Sequence, residues 1–246
     1  MKGTYVLFGE VFMKGKIKSF KELHEVLDGY RGNSLWLFRG HSNEKWDLVP
    51  KAGRSPYDKY NDEETFYAWK RQAMVFLKGS YNDWDMLTIA QHHGLATRLL
   101  DWSFNPLVAA YFAVKDFEDC DAVIYAYLKK SDINVKEVHP FESEGIKKVK
   151  PNGLATRVVR QSGIFTIHEQ PTASIENNIS NKEELTKIII DKRYRTRLRE
   201  ELSYYGINEL SLFPDLDGLA SHVNWIMEAQ PYGSNNITDE LDSINE

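Results

Sequence analysis

Cysteine is nearly absent: Cys120 is the single one in 246 residues, so no internal disulfide can staple the fold. No Cys/His spacing resembles a zinc site either, and this usage fits a protein of a reducing compartment. Long apolar runs are also missing. Nothing approaches the roughly 20 consecutive apolar residues of a membrane-spanning helix, and Val108 to Val114 reads as part of a much shorter one. The opening stretch MKGTYVLFGEVFMKGK has neither a continuous apolar run of signal length nor a small-residue cleavage site. A cytoplasmic chain without membrane contact is expected. Excess positive charge is lacking as well. A net charge of -5 argues against a general polyanion binder, because sequence-independent affinity for nucleic acid comes from Lys and Arg neutralising phosphates, although a local basic stretch could still bind one.

With 42% hydrophobic and 27% charged residues, the composition is that of an ordinary globular protein. At this length about 70 to 75% of the unfolded surface can be buried, enough for a core without metal or disulfide. The one basic stretch, Lys192, Arg193, Arg195, Arg197 and Arg199, is flanked by Asp191, Glu200 and Glu201. It reads as a solvated helix face laced by intrahelical ion pairs.

Local signals outline the elements. Ser19-Phe20-Lys21-Glu22 is a capping-box pattern, followed at helical spacing by Phe20, Leu23, Val26 and Leu27 up to Gly29. Leu35 to Phe38 reads as a buried strand that delivers Arg39 at its end, and residues 41 to 58 as loop. A helix beginning near Asp62 would carry Phe66, Trp69, Ala73 and Phe76 on one face. Asp83 can cap a helix through Met86, Leu87 and Ala90 that closes at Gly94, with Gln91 and His92 in its last turn. Arg98 to Leu100 looks like a short strand, and Asn105-Pro106 like an N-cap and first helical residue.

Ala122 to Leu128, Arg157 to Ile167 and Leu185 to Ile190 are further strand candidates. The basic helix is expected from about Lys192 to Tyr204, and a last helix opens at Pro214-Asp215 using Leu216, Leu219, Val223 and Ile226. Residues 1–18 read as an N-terminal extension, 19–229 as one domain and 230–246 as a polar, flexible tail. The fold class is α+β, a single domain with a mixed, mostly antiparallel sheet flanked by helices. GLATR occurs twice, at Gly94 to Arg98 and Gly153 to Arg157, but nothing around the copies matches, so duplication is not inferred.

Chemistry concentrates between two apolar helices. QHHGLATRLLDWSFNP packs Gln91, His92, His93, Thr97, Arg98, Asp101, Ser103 and Asn105 together. Buried polar groups without partners cost about 1 to 3 kcal/mol each, so such a cluster either satisfies itself or surrounds a ligand. Arg98 and Asp101 could pair with each other, and Asn105 is explained as a cap. His92 titrates near neutrality and could act as donor, acceptor or general base. Arg39 at a strand end offers a planar fork suited to phosphate or carboxylate, with Gly40 allowing a ligand near the backbone; equally, it could be a structural partner of Asp101.

The run from Leu35 to Gly40 with Trp46-Asp47-Leu48-Val49-Pro50 resembles the opening motif of FRG domains, named for their Phe-Arg-Gly. Gln91-His92, Gly94, Thr97 to Trp102 and Asn105-Pro106, with Ala109, Phe112 and Ala113, are similar to that family's longer second signature. Arg157, Gln161, Gly163 and Phe165 resemble a third, and Leu212 to Ala220 a closing motif, so the resemblance runs over about residues 20 to 228. These domains are widespread in bacteria and phages, and membership leaves toxin, phage-defence and housekeeping roles open.

A more distant resemblance is to ADP-ribosyltransferases, which also place an aromatic-Arg-Gly at the end of the first core strand and a serine just before a helix of small and aromatic residues. This resemblance implies a transferase-like architecture and NAD as substrate, held by Phe38, Arg39, Gly40, His41, Gln91, Thr97, Arg98 and Ser103. His92, Asp101, Gln161 and Glu209 are the implied catalytic candidates, no metal is expected, and the acceptor macromolecule is undefined. Those transferases end their site with a glutamate on a late strand, where this chain offers Gln161; an amide cannot ionise and so cannot be a base. The alternative is a non-catalytic module that binds a nucleotide, a nucleic-acid end or a partner protein in the same pocket, with base stacking on some of the 13 Tyr and 6 Trp.

Overall fold

The computed structural model describes residues 11–116, 118–150, 160–180 and 183–229. The second GLATR copy, Arg157 and the tail at 230–246 lie outside the described residues. A seven-stranded sheet organises the rest. Its strands are β1 (Val11–Ile17), β2 (Trp36–His41), β3 (Leu99–Ser103), β4 (Ala122–Leu128), β5 (Ile146–Val149), β6 (Gly163–His168) and β7 (Glu184–Ile190), in the order β1-β7-β4-β2-β3-β6-β5. Only the edge pair β1–β7 is parallel; every other pairing is antiparallel. The expected mixed, mostly antiparallel α+β sheet is therefore the fold. The sheet reaches back into residues 11–17, which the sequence reading assigned to an extension; one strand on an edge has too little alternation to stand out.

Among the described residues seven helices accompany it: α1 (Phe20–Asp28), α2 (Asp62–Ala73), α3 (Asp83–His92), α4 (Pro106–Val114), α5 (Arg195–Tyr204), α6 (Glu209–Leu212) and α7 (Leu216–Ala229). None is long and apolar enough to cross a membrane. Capping fixes their starts. Ser19 Oγ accepts the Glu22 N–H at 3.3 Å, while the Glu22 carboxylate turns back to the Lys18 N–H at 2.7 Å. Asn105 Oδ1 accepts the Leu107 N–H at 2.9 Å, with Pro106 as the first helical residue, as its sequence implies. For α3 the cap is Asn82, in a reciprocal capping box with Asp85, and not Asp83, whose carboxylate instead meets Lys70 and His139.

Strand alternation sorts the core. Ala122, Ile124 and Ala126 of β4 face the cluster built by α1, α4 and α5 through Leu23, Val108, Ala110, Tyr111, Leu198 and Leu202. Val123, Tyr125 and Tyr127 face the opposite way, with Leu37, Leu100, Trp102 and Ile189. Helices α2 and α3 cover the β3-β6-β5 end through Phe66, Trp84, Met86 and Leu87 against Leu99, Phe165 and Ile167.

Some expectations shift. Phe76 lies past the end of α2 and is 85% exposed, because the helix stops at Ala73 before the apolar stripe is complete. In α7 the buried positions are Gly218, His222 and Ile226, while Leu216 and Leu219 are exposed. Gly218 sits so close to Phe213 that a Cβ there would stand 1.8 Å from its carbonyl oxygen, so the face carrying Gly218, His222 and Ile226 packs inward. The basic helix α5 is not a uniformly solvated face. Arg197 makes the expected i,i+4 pair with Glu201, but Arg195 is buried and donates to the carbonyls of Ser42, Ala113, Asp116 and Cys120, and Arg199 turns inward to Glu209.

Candidate functional site

β2 and β3 touch at a single register pair, Phe38 opposite Ser103, and then diverge. On its other side β2 is paired along its whole length with β4. The divergence opens a cleft of about 370 Å³, within the lower part of the size range typical of ligand pockets. Arg39 bridges the gap with its side chain. Its Nη1 donates to the Asp101 carbonyl at 2.7 Å and stands 3.8 Å from the Asp101 carboxylate, and its Nε donates to His41 Nε2 at 3.0 Å. Burial lowers the Arg39 guanidinium to about 10, partly offset by Asp101, which leaves it charged at neutral pH.

The contact with Arg39 fixes the state of its neighbour. Since His41 Nε2 accepts, its proton sits on Nδ1, and burial together with the adjacent Arg39 charge pushes this imidazole down to about 2. His41 is a neutral acceptor that orients the guanidinium. Opposite it, the end of α3 supplies a second orienting chain. Thr97 Oγ1 donates to Gln91 Oε1 at 2.6 Å, which turns Gln91 Nε2 toward Asp101 Oδ2 at 2.8 Å. Asp101 is therefore held on one side by an amide and on the other by Arg39, while its side chain is 56% exposed.

Phe38, Arg39, Gly40, His41, Gln91, His92, Asp101, Ser103 and Gln161 all line this one cleft, although they come from distant parts of the sequence. Several do so in other roles than the residues alone suggested. A Cβ on Gly40 would lie 2.0 Å from the Ala109 carbonyl oxygen and 2.5 Å from the Ala113 nitrogen, so this glycine lets α4 pack on β2 rather than admitting a ligand to the backbone. Ser103 donates to the Gln161 carbonyl at 2.7 Å and accepts the Asn105 N–H at 3.0 Å, tying β3 to the turn before β6. Gln161 stands in that turn and not in a strand; Ser162 beside it has a φ of 49°, incompatible with an extended run from Arg157 to Ile167.

Three candidates stay outside the cleft lining. Thr97 is buried behind Gln91 and acts through it. Arg98 does not pair with Asp101: it makes a bidentate contact with Asp62, at 2.8 Å on each arm, and stacks on Phe141 at 4.4 Å. Glu209 opens α6 and is enclosed by Arg199 and His222. Burial alone would raise its carboxyl, but these two neighbours outweigh it and hold Glu209 at about 2.

The cleft also contains Arg54, Lys115 and Asp116, which the sequence did not single out, beside Trp46, Phe112 and Phe213, which it placed only in the motifs. Trp46 and Arg54 come from the loop after β2, and Phe112, Lys115, Asp116 and Phe213 close the far rim. Arg54 grips the Val49 carbonyl with Nε at 3.0 Å and Nη2 at 2.7 Å. Its loop has no periodicity from which a direction could be read. Among the described residues no group of three His, Cys, Asp or Glu is placed to hold a metal ion.

No curated protein and no solved structure matches the chain. Residues 34–122 match the family model of the FRG domain. The matched span holds β2, α2, α3, β3 and α4, and with them Arg39, Gln91, His92, Asp101 and Ser103; Gln161 and Glu209 fall beyond it. The cleft between β2 and β3 thus draws most of its lining from the segment that matches the FRG domain model.

Proposed function

We propose that the cleft binds NAD and that the protein is an ADP-ribosyltransferase-like enzyme acting on a macromolecular acceptor. The observation that carries this reading is the pairing of an oriented, charged Arg39 with a half-exposed carboxylate, Asp101, inside one cleft. Arg39 would clamp the pyrophosphate with the part of its fork turned to the cleft. The aromatic rings of Trp46, Phe112 and Phe213 offer faces for the bases.

In the reaction the bond between the nicotinamide nitrogen and ribose C1′ breaks, and nicotinamide leaves with the electron pair. Positive charge then develops on the ribose, where the Asp101 carboxylate stabilises it. An acceptor nucleophile forms the new bond to C1′, and its proton passes to His92 or Asp101. Ser103, its hydrogen already donated to Gln161, serves a ribose hydroxyl only as an acceptor. Gln161 positions and does not ionise. Asp101 takes the part that a glutamate plays in the transferases the sequence resembles.

A second reading, a nucleotide-binding module without turnover, is favoured by one specific feature: among the described residues lining the cleft there is no glutamate. Incubation of the purified protein with NAD separates the two. Release of nicotinamide, or labelling of the protein or an added lysate with the ADP-ribosyl group, supports the enzyme. Saturable binding of NAD with no nicotinamide released over many hours supports the module, and no binding at all defeats both.

A further inference from the structure

Behind Arg39 the cleft continues into a recess of about 260 Å³, bounded by Lys51, Arg54, Gln91, Gly94 and Asp101. Three cationic residues line it: Arg39, Arg54 and Lys51. Their protein partners are mostly neutral. Lys51 Nζ donates to the Gly94 carbonyl at 2.9 Å, and Arg54 grips the Val49 carbonyl with two nitrogens. A carbonyl orients a cation but cancels no charge. Elsewhere several buried or half-buried cations of this fold are matched by carboxylates, as Arg98 by Asp62, Lys129 by Glu183 and Arg199 by Glu209, whereas buried Arg195, like Arg54, is held by carbonyls. In the recess the only acid on the lining is Asp101, itself half-exposed and shared with Gln91.

We propose that this recess is a diphosphate subsite, in which Lys51 and Arg54 join Arg39 around the pyrophosphate of a dinucleotide or nucleoside diphosphate. The assignment rests on the cleft being the ligand site and adds two specificity-determining residues from the loop after β2. Three like charges beside a single half-exposed carboxylate are incompletely balanced and repel one another, which burial strengthens, and a polyanion relieves that repulsion on binding. Arg54 and Arg39 each have their charged form disfavoured by burial, consistent with a site waiting for a counter-charge. Arg54, fixed in direction by Val49, presents a pre-organised fork, while Lys51 acts as a movable point charge. The same charge balance gives Asp101 a second effect: its carboxylate opposes an incoming phosphate and weakens the subsite.

The test uses inorganic pyrophosphate, with adenosine as the phosphate-free control, and reads affinity by calorimetry and by thermal shift at low ionic strength. Pyrophosphate should bind the 246-residue chain and raise its melting temperature, whereas adenosine should not reproduce the shift. Lys51→Gln, whose side chain is half-buried, makes one carbonyl contact and lies 5.3 Å from the centre of the Tyr57 ring, should melt within a degree or two of the parent and bind pyrophosphate about tenfold more weakly. Arg54→Gln should weaken it at least as much. Asp101→Asn should bind pyrophosphate more tightly, the opposite sign.

Unchanged pyrophosphate affinity in Lys51→Gln, or no gain in Asp101→Asn, overturns the subsite, even if Arg54→Gln does not fold. Failure here and failure of the NAD reading are distinct. Pyrophosphate binding with the stated variant effects but no NAD binding keeps the subsite and defeats the NAD assignment. NAD turnover unaffected by Lys51→Gln does the reverse.

Discussion

Arg39 Nη1 donates to the backbone carbonyl of Asp101 at 2.7 Å, across the gap where β2 and β3 have stopped pairing. The guanidinium thus closes with a side chain a span that backbone bonds do not close, and it does so beside a carboxylate that remains 56% exposed. This geometry separates the two roles open to Arg39. Were Asp101 buried, loss of Arg39 would strand a charge; because it faces solvent, loss of Arg39 leaves the Asp101 carbonyl and His41 Nε2 short of a donor and little else.

Arg39→Lys is therefore expected to fold. Its destabilisation should be on the order of 1 to 3 kcal/mol, the cost of under-satisfied polar groups, and not the larger cost of an unpaired buried charge. Lysine keeps the charge but cannot reach His41, Asp101 and a phosphate together, so the NAD-induced rise in melting temperature should vanish. Thermal denaturation with and without NAD checks both halves. A variant that keeps the full ligand shift would remove Arg39 from the site.

Arg98 gives the opposite pattern. It and Asp62 are about 10% exposed and joined by two 2.8 Å bonds. Arg98→Ala leaves a buried carboxylate unpaired and should cost about 3 to 5 kcal/mol, a large share of the stability of a domain. Nucleotide affinity per folded molecule should be unchanged. Reduced affinity in the fraction that does fold would put Arg98 back into the site.

How far the sequence carries is visible in these two arginines. Four apolar residues before Arg39 are a local signal of a strand, but the glycine after it does not end that strand: β2 runs on through Gly40 to His41 because β4 pairs with it along its length, so Arg39 stands inside the strand and not at its end. The partner of Arg98 lies 36 residues away across two helices, and charge pairing at that separation leaves no local trace, so the nearby Asp101 was chosen instead. The caps and strands set by short-range patterns, Asn105-Pro106 and Ala122 to Leu128, match the structure. Arg54 leaves no such signal, because its loop has no period. Gly40 was found but misread, since what a glycine permits depends on which element crosses it.

Gly40→Ala tests that reading. The new methyl would meet the backbone of α4 at Ala109 and Ala113, and backbone cannot swing aside as a flexible side chain can. Overpacking of this kind costs about 1 to 3 kcal/mol, and here α4 must move bodily, so the upper end or beyond is expected. The loss should appear in the melting temperature of the ligand-free protein. A variant as stable as the parent, but unable to bind NAD, would return Gly40 to a ligand-approach role.

Glu209 supplies the test by pH. Its carboxyl is held at about 2 when folded, below its ordinary value of 4.5, because the nearby Arg199 and His222 outweigh the burial that would raise it. A group with a depressed folded pKa contributes its stability above the unfolded value and loses it as pH falls through the folded one. The window is thus from about 4.5 down to about 2. In that range the parent should lose up to a few kcal/mol that Glu209→Gln, already lacking the charge, does not lose. At pH 7 the ordering is clear: Glu209→Gln should be less stable than the parent, since it leaves Arg199 without its carboxylate. Denaturant melts of both proteins at pH 7, 5 and 3 should therefore show two curves that approach each other on acidification. NAD affinity at pH 7 should be equal in the two, because Glu209 does not line the cleft. A constant gap between the curves, or a loss of NAD affinity in Glu209→Gln, would restore Glu209 as a candidate for the missing transferase glutamate.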